Sequence, residues 1–134
     1  MPRLLGGICM EYRVVIADDS AQDILCIRSI IESLSFSMEV VLQTAKTETA
    51  LHFLQMTGAE LLILNVELFG AAKCLEAAAR LKRRPQVILL GNGFDIANGH
   101  PMTARCRVQK PISSMRMINA LHSALQALKR SSEE

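Results

Sequence analysis

Short apolar runs alternate with longer amphipathic stretches from Tyr12 to the end of the chain. Five of the runs have the length of strands, and they cover residues 12–17, 38–45, 61–66, 86–90 and 104–108. The run 61–66 is apolar apart from Asn65, which is typical of a central strand buried on both faces. Strands that alternate with helix-length segments indicate repeated βα units around a parallel sheet.

The first three connecting segments have helical spacing. Ser20 is a good helix cap, and apolar residues then recur at three- and four-residue intervals, at Ile24, Ile27, Ile31 and Leu34. A short helix is predicted from Thr47, and an alanine-rich helix over 70–84 that stops before Pro85. These helices would return the chain from one parallel strand to the next.

The helical pattern is weak in the fourth connecting segment and clear in the segment after the fifth strand. Residues 91–101 contain three glycines and a proline, so any helix there would be short or partly loop. The final helix is predicted from Ser113, with an apolar stripe of Ile118, Leu121, Leu125 and Leu128. Its small and flexible residues form a second set, which we interpret as a face that packs on a partner: Met115, Met117, Ala120, Ala124 and Ala127.

Length and composition fit one compact domain. The chain has 134 residues, of which 50% are hydrophobic, enough for a single core. We expect a disordered lead-in over 1–11, one domain over 12–130 and a tail over 131–134, so that any transcriptional output would come through a partner. The net charge of +2 predicts neither direct nucleic-acid binding nor membrane binding.

Cysteine usage and hydropathy indicate the compartment. The four cysteines lack a CxxC pair or zinc-ligand spacing, so we interpret them as reduced core residues. No apolar stretch has the length of a signal peptide's hydrophobic region or of a membrane span. The sequence therefore predicts a cytoplasmic protein.

Candidate chemistry lies where the predicted strands end. Ligands bind in the crevice at the carboxyl ends of the strands in open parallel sheets. Strand one ends in Asp18 and Asp19, strand three in Asn65 and strand four in Gly91, and Lys110 follows strand five, directly before a proline. We expect these residues to share one edge of the sheet.

Two adjacent acids, a polar residue ending the central strand and a Lys-Pro pair resemble the receiver domain of two-component response regulators, over residues 12–130. The resemblance implies a flavodoxin-like, doubly wound α/β fold: a five-stranded parallel sheet of order 2-1-3-4-5 with helices on both faces. In that family the acidic pair holds magnesium, the strand-three aspartate accepts phosphate from a histidine kinase, and the lysine contacts the phosphoryl group. Asp18 and Asp19 match the pair, and Lys110 matches the lysine.

Several other positions depart from the family pattern. Asn65 stands at the phosphoacceptor position, and an amide is not an anionic nucleophile, so it cannot form an acyl phosphate. Gly91 replaces the hydroxyl residue of the switch, and Arg107 replaces its aromatic residue. Phe69 stands where the family often has proline. Acceptor and relay are thus degenerate together.

Magnesium binding is expected to be weak or absent, and no other cofactor is predicted. Magnesium prefers hard anionic oxygens, and only Asp18 and Asp19 remain as matched anionic ligands. Glu67 would add a third carboxylate if its side chain turned inward.

The leading functional hypothesis is a non-enzymatic pseudo-receiver that cannot be phosphorylated and acts by protein–protein interaction. The expected partner is a histidine kinase or another signalling protein. The family precedent also suggests a homodimer through the fifth strand and last helix, where Arg105 and Arg107 form either an interaction face or ordinary edge-strand charges. Two alternatives stay open: a residual magnesium or phosphate site, and phosphorylation at an unusual acceptor such as Asp19 or Ser20.

Overall fold

A computed structural model describes residues 11–33, 37–92 and 106–132. The strands are β1 (Tyr12–Ala17), β2 (Met38–Thr44), β3 (Leu61–Asn65), β4 (Gln86–Gly91) and β5 (Cys106–Gln109). The helices are α1 (Ala21–Ser33), α2 (Thr47–Met56), α3 (Ala71–Ala79) and α4 (Ser114–Ser132). The weak segment predicted after β4, together with Cys9, Leu34 and Arg105, lies outside the described residues.

The five strands form one sheet in the order β2-β1-β3-β4-β5, and every adjacent pair is parallel. This confirms the predicted α/β class and the strand order 2-1-3-4-5. Residues 61–65 are all buried, as expected for a central strand covered on both faces. Irregular pairing between β1 and β2 shifts the register between Val14 and Val15.

Helices cover both faces of the sheet and define two apolar clusters. On one face, α1 and α4 pack against side chains such as Ile16, Ile63 and Ile88. On the other, α2 and α3 pack against the alternate residues, including Val15, Leu62 and Leu89. Successive strand residues point to opposite faces, so each central strand supplies both clusters. The sheet is therefore covered on both faces.

Helix caps follow the predicted polar residues. The Ser20 hydroxyl accepts a hydrogen bond from Asp23 N at 3.2 Å, and the Ser113 hydroxyl accepts one from Arg116 N at 3.4 Å. Each side chain satisfies a backbone donor that has no partner within its helix. Ser20 thereby fixes the first turn of α1 directly after Asp18 and Asp19.

Helix α3 is shorter than predicted, and helix α4 reaches beyond residue 130. Helix α3 ends at Ala79, five residues before the expected end at 84, and a turn fills the remaining distance to Pro85. The residue before a proline is disfavoured in helical geometry, and the chain must turn here to enter β4. Helix α4 extends through Ser132, beyond the predicted domain end at 130.

The predicted partner face of α4 is wrong. Its small residues face the sheet, because Met117, Ala120, Ala124 and Ala127 are buried together with Leu121. Three residues of the predicted core stripe are only half-buried: Ile118, Leu125 and Leu128. Of the predicted partner face, only Met115 is exposed. Alanine side chains let the helix lie close to the sheet, which turns its larger residues toward the flanks.

Cysteines and hydropathy add two observations. Cys74 is buried, Cys26 and Cys106 are half-buried, and all three are free thiols. Burial raises the pKa of the Cys74 thiol. Among the described helices, none is long and apolar enough to cross a membrane.

Candidate functional site

The carboxyl ends of β1, β3 and β5 bring Asp18, Asn65 and Lys110 together, as predicted. Asp18 directly follows β1, Asn65 ends β3, and Lys110 directly follows β5. Asp18 and Asn65 are buried, with 1% and 3% of their surfaces exposed. Charged and polar groups at this depth must be paired to be stable, so their contacts define what the site can do.

Asp18 is the centre of the cluster. Its Oδ1 accepts hydrogen bonds from Ser20 N at 3.2 Å, Asn65 Nδ2 at 3.0 Å and Lys110 Nζ at 3.1 Å. Its Oδ2 lies 3.1 Å from Lys110 Nζ as an ion pair and makes no hydrogen bond. One carboxylate thus holds the strand ends together.

Lys110 is shared between two acids. Its Nζ lies 2.8 Å from Asp23 Oδ2 in addition to its contacts with Asp18. Burial lowers the pKa of Lys110, but the hydrogen bonds and charges of Asp23 and Asp18 outweigh burial, so the net pKa is raised above 10.5. Lys110 is therefore a fixed cation at neutral pH, committed to side chains of this chain.

Asn65 is oriented by partners on both ends of its amide. Its Nδ2 donates to Asp18 Oδ1 at 3.0 Å, and its Oδ1 accepts from Glu67 N at 2.9 Å. The carboxylate requires a donor and the backbone N–H requires an acceptor, so only this orientation satisfies both. Asparagine fits here because it can donate and accept at once, whereas an ionised aspartate could only accept.

The sequence prediction of the acidic residues in this cluster was wrong for Asp19 and missed Asp23. Asp19, expected in the acidic pocket, is exposed and has no hydrogen bond or ion pair with any described residue. Asp23 was not predicted, although it is one of the two acids that form an ion pair with Lys110. Its position in the first turn of α1, which starts beside Asp18, is the signal that was available.

The side chains of the two positions predicted to be degenerate switch residues, Gly91 and Arg107, make no contact with the cluster. Gly91 accepts a hydrogen bond from Lys110 N at 2.8 Å through its carbonyl and offers no hydroxyl. Arg107 is exposed on β5 and makes no ion pair with a described residue. The Lys110–Pro111 peptide bond is cis.

Glu67 does not supply a third carboxylate to the cluster. Its Oε2 accepts from Asn92 N at 2.9 Å, and its Oε1 accepts from Asn92 Nδ2 at 3.3 Å. Glu67 is exposed and ties the loop after β3 to the end of β4. The idea of an inward-turned Glu67 is therefore wrong.

Phe69 is the most exposed large apolar side chain in the same loop, at 97%. Its backbone is nevertheless fixed, because the Thr47 hydroxyl donates to Phe69 O at 2.9 Å and Gly70 adopts a φ of 81°. A Cβ at Gly70 would lie 2.9 Å from Thr47 Oγ1, so the turn requires glycine. The loop presents its aromatic residue to solvent from an anchored backbone.

The residues at this edge do not fit a magnesium ion. The Lys110 ammonium already stands 3.1 Å from both Asp18 oxygens, Asn65 Oδ1 is bonded to Glu67 N, and Asp19 points to solvent. Residues 11–33, 37–92 and 106–132 include no group of three or more His, Cys, Asp or Glu side chains that could hold a metal. The cluster is neutralised by a lysine where a metal site would need open carboxylate oxygens.

No family model matches the sequence, and no curated protein matches it either. Solved structures do match, and their likeness is with response regulators. The response regulatory domain of mrkE from Klebsiella pneumoniae superposes with a TM-score of 0.79 at 19% identity, covering 88% of this chain and 98% of that domain. The REC domain of AraT from Geobacillus stearothermophilus gives 0.78 at 21% identity, covering 92% and 99%.

One longer structural neighbour is matched over only part of its own length. NtrX from Brucella abortus matches with a TM-score of 0.74 at 18% identity, and the match covers 92% of this chain but 28% of NtrX. The chain therefore has the fold of a receiver domain. At these identities the likeness shows the fold alone.

Proposed function

We propose that this chain is a signalling module of the two-component type that is not phosphorylated and acts through protein–protein contact. The observation that carries the proposal is the buried Asn65 amide, which donates to Asp18 Oδ1 at 3.0 Å at the position where a receiver carries its acceptor. An amide oxygen is a poor nucleophile, and no acyl phosphate can form on it. The receiver fold supports the pathway class, and the amide supports the loss of transfer.

The lysine contacts support the same proposal. In a receiver the lysine must be available to an incoming phosphoryl group, but Lys110 is held by Asp18 and Asp23 at 3.1 and 2.8 Å. A phosphoryl group would have to displace two carboxylates to reach it, and charge-assisted bonds of this kind are the strong ones. The module is therefore proposed to need neither phosphate nor a resident metal, and to have no enzymatic activity.

Partners of this module are proposed to be a histidine kinase or another signalling protein. Exposed and half-buried side chains on β5 and along the first two thirds of α4 offer a surface for a second copy of the chain: Arg107, Met115, Ile118 and Leu125. The set is smaller than the sequence suggested, because most of the small residues of α4 face the core.

Intact-mass spectrometry tests the proposal. The protein is incubated with acetyl phosphate and magnesium chloride, and its mass is followed over hours at pH 7 to 8. No gain of one phosphoryl group is expected. A phosphorylatable receiver serves as the positive control for the reagent.

The variant Asn65→Asp is the matched control within this chain. A mass gain in the variant alone would identify Asn65 as the reason for the failure. A stable gain in the unaltered chain contradicts the proposal. Mapping the added group by peptide sequencing would then assign it to Asp19, Ser20 or another residue, the alternative acceptors.

A residual cation site is the second candidate, and one observation favours it. Asp18 Oδ2 is buried and makes no hydrogen bond, although Lys110 Nζ lies 3.1 Å away, so a cation would have to displace the lysine to use this oxygen. Titration with magnesium chloride, followed by backbone amide shifts, tests this candidate directly. Saturating shifts confined to Asp18, Asp19 and Asn65 would support it, and none are expected because Lys110 already neutralises Asp18.

A further inference from the structure

A groove with a basic rim lies at the opposite edge of the sheet, where the strands begin. It is formed by the end of α2 and the turn after α3, and we call it the basic groove: residues 54–58 and 81–83. These segments lead into β3 and β4, whereas Asn65 ends β3. The five residues of β3 place about 15 Å between the two edges, so a ligand in the groove does not touch the Asn65 cluster.

The walls of the groove are partly apolar. Leu54 is buried, Leu81 is half-buried, and Met56 is 72% exposed on the last turn of α2. A methionine this exposed beside two leucines is an adaptable apolar contact, because its thioether side chain fits irregular surfaces. The groove therefore offers room for an apolar side chain of a ligand.

Cations are concentrated on the rim. Lys82 and Arg83 line the groove, and Arg80 and Arg84 lie next to them in sequence; all four are exposed, and none forms an ion pair with a described residue. The negative ends of α2 and α3 favour cations here, but each helix end is equivalent to about half a charge. The two lining cations, with two more beside them in sequence, exceed that, so this part of the surface keeps a positive surplus for an external anion.

Gly58 opens a space between two guanidinium groups. A Cβ at this position would lie 3.7 Å from Arg13 Nη2 and 3.9 Å from Arg83 Nη2. Arg13 is already bonded to Glu60 Oε2 at 3.0 Å and to Thr57 O at 3.3 Å, whereas Arg83 has no such acceptor among the described residues. A carboxylate entering above Gly58 would meet both guanidinium groups, with Arg83 supplying the free donors.

We propose that the basic groove binds an acidic segment of a partner protein. Carboxylates of the segment pair with Lys82 and Arg83, and an apolar side chain between them packs on Leu54, Met56 and Leu81. Charge complementarity selects an anionic ligand, and the apolar walls select a peptide. A nucleic acid fits less well, because the residues of the groove include no aromatic side chain on which a base could stack.

This inference is independent of the Asn65 cluster. The proposed function requires only that output goes through protein contact, and the basic groove names the chemistry of one such partner. The phosphorylation experiment and the peptide experiment therefore fail separately.

Fluorescence anisotropy with labelled synthetic peptides tests the proposal on the full chain. The probe is a twelve-residue peptide that repeats Glu-Glu-Leu. Comparison probes replace Glu by Gln or Leu by Ser, and a single-stranded oligonucleotide of equal charge represents the other class of polyanion. The Glu-Glu-Leu peptide should bind, more weakly at higher salt, and both altered peptides should bind at least about tenfold more weakly, the loss expected when a charged or apolar contact is removed.

Two pairs of variants make the test specific. The double variant Lys82→Glu, Arg83→Glu should lose about tenfold in affinity or more, while Lys73→Glu, Arg116→Glu makes the same change in net charge on exposed cations far from the groove and should leave affinity nearly unchanged. Met56→Ser should weaken binding of the peptide, and Met115→Ser, another exposed methionine, should not. Circular dichroism and melting curves confirm that each variant is folded.

Three outcomes would overturn the proposal. The first is equal loss in both charge-reversal variants, which means non-specific attraction. The second is an oligonucleotide that binds as tightly as the peptide and is insensitive to Met56→Ser, which assigns the rim to phosphate backbones. The third is no binding of the Glu-Glu-Leu peptide at low salt.

Discussion

Asp23 Oδ2 lies 2.8 Å from Lys110 Nζ, and this contact ties the first turn of α1 to the end of β5. The residues are far apart in sequence: Asp23 lies on α1, near the start of the domain, and Lys110 directly follows β5. Together with Asp18, the pair fastens a helix and two strands at one point. Stability measurements on this cluster are the most direct test of its structure.

Substitution of Asp23 should destabilise the protein modestly. Asp23→Asn removes one charge-assisted contact of Lys110 while Asp18 remains, and the Asp23 side chain is 24% exposed. We expect a loss of about 1 kcal/mol in the free energy of unfolding, measured by urea denaturation at pH 7. Asp19→Asn is the matched control, and an equal loss there would contradict the assignment of Asp23.

Asn65→Asp should destabilise the protein when no magnesium is present. The change replaces a hydrogen bond between amide and carboxylate by repulsion between two buried carboxylates, with an expected loss of about 1–3 kcal/mol at pH 7. The loss should shrink toward acidic pH as the added carboxyl group takes up a proton. Chemical denaturation at pH 4 and pH 7 measures the difference.

An exposed asparagine provides the control for added charge. Asn119→Asp on α4 adds the same negative charge at an exposed position and should change stability by less than about 0.5 kcal/mol. If Asn65→Asp proves more stable than the unaltered chain without magnesium, the described hydrogen-bond role of Asn65 is wrong.

Lys110→Met should be strongly destabilising. The substitution leaves the Asp18 side chain, which is 0% exposed, without its cation, and removal of one partner from a buried pair costs about 3–5 kcal/mol. Lys73→Met, at an exposed position, should have little effect. Thermal melting of both variants at pH 7 distinguishes them, and similar melting temperatures would rule out the buried pair.

The contribution of Lys110 should also depend on pH at the alkaline end. Its folded pKa is raised above 10.5, so the stability that it contributes is fully present below about pH 10.5. That stability is lost as the pH rises through the folded pKa. The gap between the unaltered chain and Lys110→Met should therefore narrow above pH 10.5 in urea titrations, and a constant gap would contradict the raised pKa.

Glu60 should show the opposite pH dependence at the start of β3. Burial raises the pKa of Glu60, but hydrogen bonds and the charge of Arg13 together lower it by more than burial raises it. The net pKa therefore lies below 4.5. The contact contributes stability above pH 4.5 that is lost as the pH falls through the folded pKa. Both side chains are partly exposed, so Glu60→Gln should cost less than about 1 kcal/mol at pH 7 and nothing at pH 2.

Much of the fold follows from short-range pattern. The length of each apolar run identified its strand, and the crevice rule for parallel sheets placed Asp18, Asn65 and Lys110 at one edge, where the structure brings them into contact. Side-chain direction does not follow from strand order. Asp19 is exposed in the bend that follows β1, where strand alternation no longer sets side-chain direction, and Asp23 reaches the cluster from a helix instead of a strand end.

Helix α4 shows why the rest could not be read from spacing. Two sets of positions on the helix both satisfy three- and four-residue intervals, one of larger residues and one of alanines and methionine. Hydrophobicity favours the larger set, but close packing against the sheet favours the smaller one, and packing determines the result. The distance between the helix and the sheet decides which of the two sets is buried. That distance depends on the packing of the whole domain and cannot be inferred from the residues of the helix alone.

The amide at Asn65 also has a consequence in time. An acyl phosphate records a past event for as long as the bond survives, and its hydrolysis sets how quickly the record fades. A side-chain amide keeps no record. If the chain acts as the proposed module, it reports how much of the protein is present at each moment, so its signal follows synthesis and breakdown of the protein instead of the lifetime of a modification.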